Sequence, residues 1–176
     1  MKIFLDPGHG GDNPGAIAPT GLEEATVNLD VALRTGEILT SRGYEVNYSR
    51  TTNVNVSLAQ RARLANLWGA DYFVSIHCNS ATNPTYNGTE SFYYRKGTVA
   101  ERFAETVNTA LVRQIELVDL GVKERNLAVL RLTLMPATLV ELAFLSNPRE
   151  AQLLASSNFR QNCAVGISNG IIEFTQ

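Results

Sequence analysis

Short apolar runs alternate with stretches of helical period through the first half of the chain, and this alternation restricts the fold more than any other feature. Lys2 to Leu5 is short and apolar, and residues 6–20 are rich in Gly, Pro, Asn and Asp, the punctuation that ends a strand and opens a loop. A helix is expected from near Thr20, because Thr20-Gly21-Leu22-Glu23 has the form of a capping box. Val27, Val31 and Ile38 then share a face, and Gly43 is placed to end the helix. Tyr44 to Ser49 alternates apolar with polar residues, the period of a half-buried strand. Ser57 caps a second helix running through Leu58, Ala62, Ala65 and Trp68 to Gly69, and Tyr72 to Ile76 reads as a buried strand. The order is β-α-β-α-β.

The second half continues in kind. Asn87-Gly88 marks a turn into a strand at Thr89 to Tyr94, an amphipathic helix is expected from Thr98 to Leu117, and the apolar runs Leu127 to Leu130 and Ala137 to Leu142 read as two further strands. Asn147-Pro148 and Asn158 fit helix starts, with Phe159, Val165 and Ile167 as apolar contacts of the last helix. Strands and helices in this order pack as an α/β three-layer sandwich, a mostly parallel twisted sheet of about six strands flanked by helices. A chain of 176 residues buries roughly 70% of its unfolded surface on folding, so residues 1–176 are expected to form a single domain.

Charge excludes some partners. Fifteen Lys and Arg against 17 Asp and Glu, scattered along the chain for a formal net charge of -2, lack the basic patch of a nucleic-acid binder. No stretch approaches the roughly 20 apolar residues that insert into a membrane. Cys78 and Cys163 are too few for a disulfide framework and are expected to be small buried hydrophobes.

In open sheets of this kind, ligands bind outside the carboxyl ends of the strands. His9 follows the first strand, His77 follows Tyr72 to Ile76, and Glu141 closes the last, so both histidines of the chain and an acid fall on one edge. Imidazole nitrogen and carboxylate oxygen together suit Zn²⁺, and three protein ligands with a fourth position for water is the catalytic arrangement. Asp6, Asp12, Glu23, Glu24 and Glu141 are all candidates for the third ligand, and spacing does not choose among them. The glycines around His9 are read as letting the backbone turn sharply so that the ring projects. A nucleotide-binding loop is the rival reading of Gly8-His9-Gly10, but its fingerprint requires a third glycine where Asn13 stands.

The segments IFLDPGHGGDNPGA, EATVNLDVAL, ANLWGADYFVSIHCNS and MPATLVELAFLSN, in this order, resemble the zinc-dependent N-acetylmuramoyl-L-alanine amidases of the amidase-3 type over nearly the whole chain. The resemblance implies that His9, Glu24 and His77 bind one zinc ion, that Glu141 assists catalysis and that Asn79 contacts substrate. Asn28 fixes the register on Glu24, although Ala25 stands where lysine is usual. Arg50 and Arg61 also match family positions and are read as surface or inter-helix ion pairs, outside the site. The implied substrate is peptidoglycan, cut at the amide between N-acetylmuramic acid and L-alanine. A monomer working at the cell wall is expected; this chain carries no export signal, which suggests the catalytic domain of a longer precursor. A non-catalytic wall-binding module and a zinc hydrolase of another amide are the alternatives, and Glu141 favours catalysis over the first.

Overall fold

The computed structural model describes residues 1–176. Its elements in chain order are β1 (Lys2–Pro7), α1 (Glu24–Ser41), β2 (Glu45–Tyr48), α2 (Leu58–Trp68), β3 (Tyr72–Asn79), β4 (Thr89–Tyr93), α3 (Val99–Ile115), β5 (Asp119–Glu124), α4 (Ala128–Arg131), β6 (Ala137–Phe144), α5 (Pro148–Ala155) and α6 (Ser157–Thr175). Six strands form one sheet in the order β2-β1-β3-β6-β4-β5. Neighbours pair in parallel except β4 with β6, so the expected mostly parallel α/β sandwich is what forms. No helix is long and apolar enough to cross a membrane.

The antiparallel strand has a local cause. Residues 80–88 link β3 to β4 without a helix, and a parallel return needs a crossover of roughly a dozen residues or more. The consequence reaches the site: β4 enters the sheet from the edge where β1 and β3 leave it, so its first residues lie level with their last ones.

Strand alternation divides the side chains between two layers. Ile3, Leu5, Val74, Ile76, Cys78, Val140 and Leu142 join α1, α3, α5 and α6 in a core cluster of 25 buried residues. Phe4, Phe73, Phe92, Ala137 and Leu139 point the other way, into a cluster of 9 with Ala65 of α2 and Val129 and Leu130 of α4. Phe4 stacks on Phe73 with ring centroids 5.9 Å apart. Cys78 and Cys163 are both buried, unpaired and part of the larger core, as expected.

Several local expectations hold in detail. The Ser57 hydroxyl accepts from the Gln60 backbone N–H at the start of α2, and Asn147 caps α5 by accepting from Arg149 and Glu150 with Pro148 at the first position. Others fail for visible reasons. Thr20 does not cap α1, because Thr20 and Gly21 form the tip of a turn in which Gly21 N–H donates to Ala18 and Ala18 N–H to Leu22, and Ile17 bridges to Glu23. The helix therefore begins at Glu24. Leu127 to Leu130 is not a strand: residues 128–131 wind into the short α4, where Val129 and Leu130 cap the smaller cluster. The strand on that edge is β5, whose Asp119-Leu120-Gly121-Val122-Lys123-Glu124 has too little apolar patterning to be read from sequence.

Candidate metal centre

His9, Glu24 and His77 each offer a ligand atom, and these atoms lie within 4.8 Å of one another. His9 Nε2 stands 3.3 Å and His77 Nδ1 3.0 Å from the same oxygen, Glu24 Oε1. Two donors on one tetrahedral zinc, each about 2.0–2.1 Å from it, are about 3.3 Å apart, so the spacing fits the ion. The outer shell fits as well. His9 Nδ1 is 3.1 Å from Asn13 Oδ1, which assigns its proton to that side and leaves Nε2 to face the cluster. Glu24 Oε2 accepts from Ala16 N–H at 2.9 Å, and Oε1 from Cys78 N–H at 3.1 Å and Asn28 Nδ2 at 3.3 Å.

Burial alone would push the Glu24 carboxyl up, but hydrogen bonds from His77 and His9 outweigh it and hold the group well below the usual range. The same hydrogen bond to Glu24 raises His9, against the opposite pull of burial. Asn28 sits one turn after Glu24 on α1 and is wholly buried. Its side chain ties Glu24 to the Gly8 carbonyl, a physical basis for the Glu24 to Asn28 spacing.

His9 itself takes a left-handed backbone conformation, with φ of 58°. Gly10 and Gly11, with φ of 125° and 65°, make the turn as expected, and the histidine before them is itself strained, at a cost on the order of 1–3 kcal/mol. Glycine is required for space as well. A Cβ on Gly8 would lie 2.2 Å from the His77 ring, and one on Gly15 would lie 2.5 Å from Glu24 Oε2 and 2.7 Å from His9.

What holds the strained loop is the pair Arg50 and Arg61, and here the reading as surface or inter-helix ion pairs is corrected. Both are buried. Arg50 donates to the carbonyls of Pro7, Gly8 and Ala25, and Arg61 to those of Pro7, His9 and Val56. Three consecutive carbonyls, 7 to 9, thus end on two guanidinium groups, with α1 drawn in through Ala25. Burial and then Arg61 lower Arg50 to about 10. The fully buried Asp6 balances part of this charge, accepting from Arg61 at 2.8 Å, Ser49 at 2.6 Å and Ser75 at 2.7 Å. Asp6 is thereby engaged away from the cluster, Asp12 is exposed and bonded to Asn55, Glu23 stands at the N-cap position of α1 and Glu141 lies outside the cluster, which leaves Glu24 among the five.

Glu141 is in register with His77 across β3 and β6. It is not the end of its strand, which runs on to Phe144. Its Oε2 is buried with no hydrogen-bond partner. Burial, followed by the charges of Glu24 and Glu90, pushes this carboxyl well above its ordinary range. Asn79 Nδ2 donates to Glu90 at 2.6 Å and its Oδ1 accepts from Ser80 N–H, leaving one amide hydrogen uncommitted. Glu90, which opposes Glu141 on the β4 side, carries no signal in the sequence, because it stands at the start of a strand and not after the end of one. A groove bordered by Gly8, His9, Asn13, Asn55, Ser57 and Leu58 opens onto the cluster from the side of α2.

The family model for N-acetylmuramoyl-L-alanine amidase matches residues 3–173. The chain is 40% identical to the sporulation-specific N-acetylmuramoyl-L-alanine amidase of Bacillus subtilis (strain 168), over 97% of its own length and 67% of that protein's. Among solved structures it is similar to the catalytic domain of CwlV, an N-acetylmuramoyl-L-alanine amidase from Bacillus (Paenibacillus) polymyxa var. colistinus, with a TM-score of 0.94, 35% identity and coverage of 98% and 97% of the two chains. It is likewise similar to an N-acetylmuramoyl-L-alanine amidase from Clostridium difficile 630, with a TM-score of 0.95, 36% identity and coverage of 98% and 95%.

Proposed function

The chain belongs to the N-acetylmuramoyl-L-alanine amidase family, peptidoglycan hydrolases that cut the amide between N-acetylmuramic acid and L-alanine, and from that premise we propose that His9, Glu24 and His77 hold one zinc ion beside a proton-carrying Glu141. The observation that supports this most strongly is the pair of features in one place: three ligand atoms at metal-sharing distances, and next to them a buried carboxyl oxygen with nothing to bond.

Held by His9, Glu24 and His77, a zinc ion would supply Lewis acidity, lowering the pKa of water toward about 7 and polarising the carbonyl. The chain's own residues do the rest. Glu141 Oε2, unpartnered and buried, takes the proton of the attacking water and returns one to the departing alanine nitrogen, a role generally worth 10²–10⁴-fold. Asn13 fixes the orientation of the His9 ring, and Asn28 and the Ala16 and Cys78 amides fix Glu24. Asn79, with one amide hydrogen uncommitted, is the residue assigned to contact substrate.

The reading extends to residues 1–176 acting as one catalytic domain, a monomer, on the wall polymer outside the cytoplasmic membrane; the single sheet and the continuous family match support the domain reading. Metal analysis of the purified chain should find about one zinc per molecule, and mass spectrometry of peptidoglycan digests should find free stem peptides beginning with L-alanine. Chelation should abolish their release and zinc restore it. Cleavage at another amide, or full activity in a metal-free sample, would overturn the proposal.

A further inference from the structure

Glu90 is an acid for which the proposed reaction has no use, and its position is a costly one. It faces Glu141 directly across the antiparallel pair of β4 and β6, where facing side chains lie about 4.5–5.5 Å apart and like charges repel. Glu90 is also buried. Its charge is nonetheless satisfied, and from both sides: Oε1 accepts from Asn79 Nδ2, which reaches over β6 from β3, and Oε2 pairs with the Lys123 ammonium, which reaches from β5. Two donors from two different strands therefore converge on the acid beside Glu141, and neither goes to Glu141, whose Oε2 has no partner. The other cations of the site are engaged elsewhere, Arg61 with Asp6 and Arg50 and Arg61 with the carbonyls of residues 7–9.

We propose that Glu90 is a positioning residue that sequesters Lys123 and Asn79, and so keeps the Glu141 carboxyl free of a permanent ion pair. Lys123 is about half exposed on its side chain and has length to spare. Were Glu90 neutral, that ammonium would lose its counter-ion, and the carboxylate facing Glu90 across β4 and β6 is that of Glu141. A Glu141 paired with lysine would be a structural ion, with its free oxygen occupied. The arrangement explains why two acids stand opposite each other: one is the counter-ion that spares the other. This inference rests on the role of Glu141 proposed above.

The test is a rescue, read on the folded chain with purified peptidoglycan. Glu90→Gln preserves the shape and the acceptor for Asn79 but releases Lys123. Turnover is expected to fall about 10²-fold, with the half-saturating substrate concentration changed by less than about threefold. In Glu90→Gln/Lys123→Met the released cation is gone, and turnover is expected to return to within about tenfold of the unaltered protein. A merely structural Glu90 would show no such rescue. Glu90→Gln at full turnover, or a double variant as slow as the single one, overturns the proposal. Should Glu90→Gln alone fail to fold, the double variant carries the test: turnover as low as that of Glu141→Gln overturns it. Glu141→Gln measured alongside separates the two ideas, since an active Glu141→Gln removes the reading beneath this one, whereas an inactive Glu141→Gln with an active Glu90→Gln removes this one alone.

Discussion

On one face of the sheet, α1, α3 and α6 bury Ile3, Leu5, Val74, Ile76, Val140 and Leu142 completely; on the other, α2 and the four-residue α4 cover Phe4, Phe73, Ala137 and Leu139 and stop. The residues next along those same strands, on that same second face, are Asp6, Ser75, His77, Glu141 and Glu90. Each apolar side chain that a helix covers contributes about 1.5–3 kcal/mol. Each polar group covered costs energy unless its hydrogen bonds are replaced. The mostly apolar face is therefore closed by helices, whereas the face that turns polar halfway is left to loops and polar contacts, which bury Asp6, Ser75 and Glu90 and leave His77 and Glu141 partly exposed. This polar strip is the part of the sheet that no helix gains by covering.

The largest expected effect falls on the open strip. Glu141→Gln removes a proton carrier and no packing, so turnover should drop about 10²–10⁴-fold while bound zinc and the thermal midpoint stay near those of the unaltered chain. A fully active Glu141→Gln, or one that loses both zinc and stability, would break the division between a chemical face and a structural one.

The covered face is expected to respond the other way round. A Cβ on Gly170 of α6 would lie 2.5 Å from Val107 Cα in α3, a backbone contact that neither helix can relieve alone. Gly170→Ala should destabilise by about 1–3 kcal/mol in denaturant unfolding, in spite of the better helix propensity of alanine, and leave turnover per folded molecule unchanged. Loss of activity without loss of stability would mean that the two faces are coupled.

The smallest effect sharpens the comparison at the solvent edge of the covered face, where α1 and α6 meet. Burial pushes the Asp30 carboxyl up, but hydrogen bonds from Arg160 and Arg34 outweigh it and hold the group low. A carboxyl depressed by folding adds stability that is complete above its unfolded pKa, about 4, and is lost as pH falls through the folded value. The seam is partly exposed, so the contribution is about 0.5 kcal/mol. Asp30→Asn should melt slightly below the unaltered chain at pH 7, with the gap closing as pH falls below about 4; a gap that does not change with pH would assign the loss to packing rather than charge.

Much of this was legible before any coordinates. Val27, Val31, Tyr72 to Ile76 and Ala137 to Leu142 announce their elements because period and burial agree in them. Thr20 and Leu127 to Leu130 misled because a capping pattern and a short apolar run are satisfied equally well by a turn and by one helical turn. β5 was hidden because an edge strand needs little apolar pattern of its own.

By itself, the sequence determined the layer order, the strand ends at which chemistry would gather, and both imidazoles, since these follow from local period and from the scarcity of histidine in the chain. Period and spacing left open which acid completes the cluster, and apart from the family resemblance only the tertiary structure decided it, because Asp6, Asp12, Glu23, Glu24 and Glu141 are chemically alike and differ only in what folding brings beside them. It also decided that Arg50 and Arg61 hold a strained His9 loop, and that Glu90 stands against Glu141. Those relations join residues dozens of positions apart, across strands whose direction was set by a connection too short to turn back, and no local pattern encodes that distance.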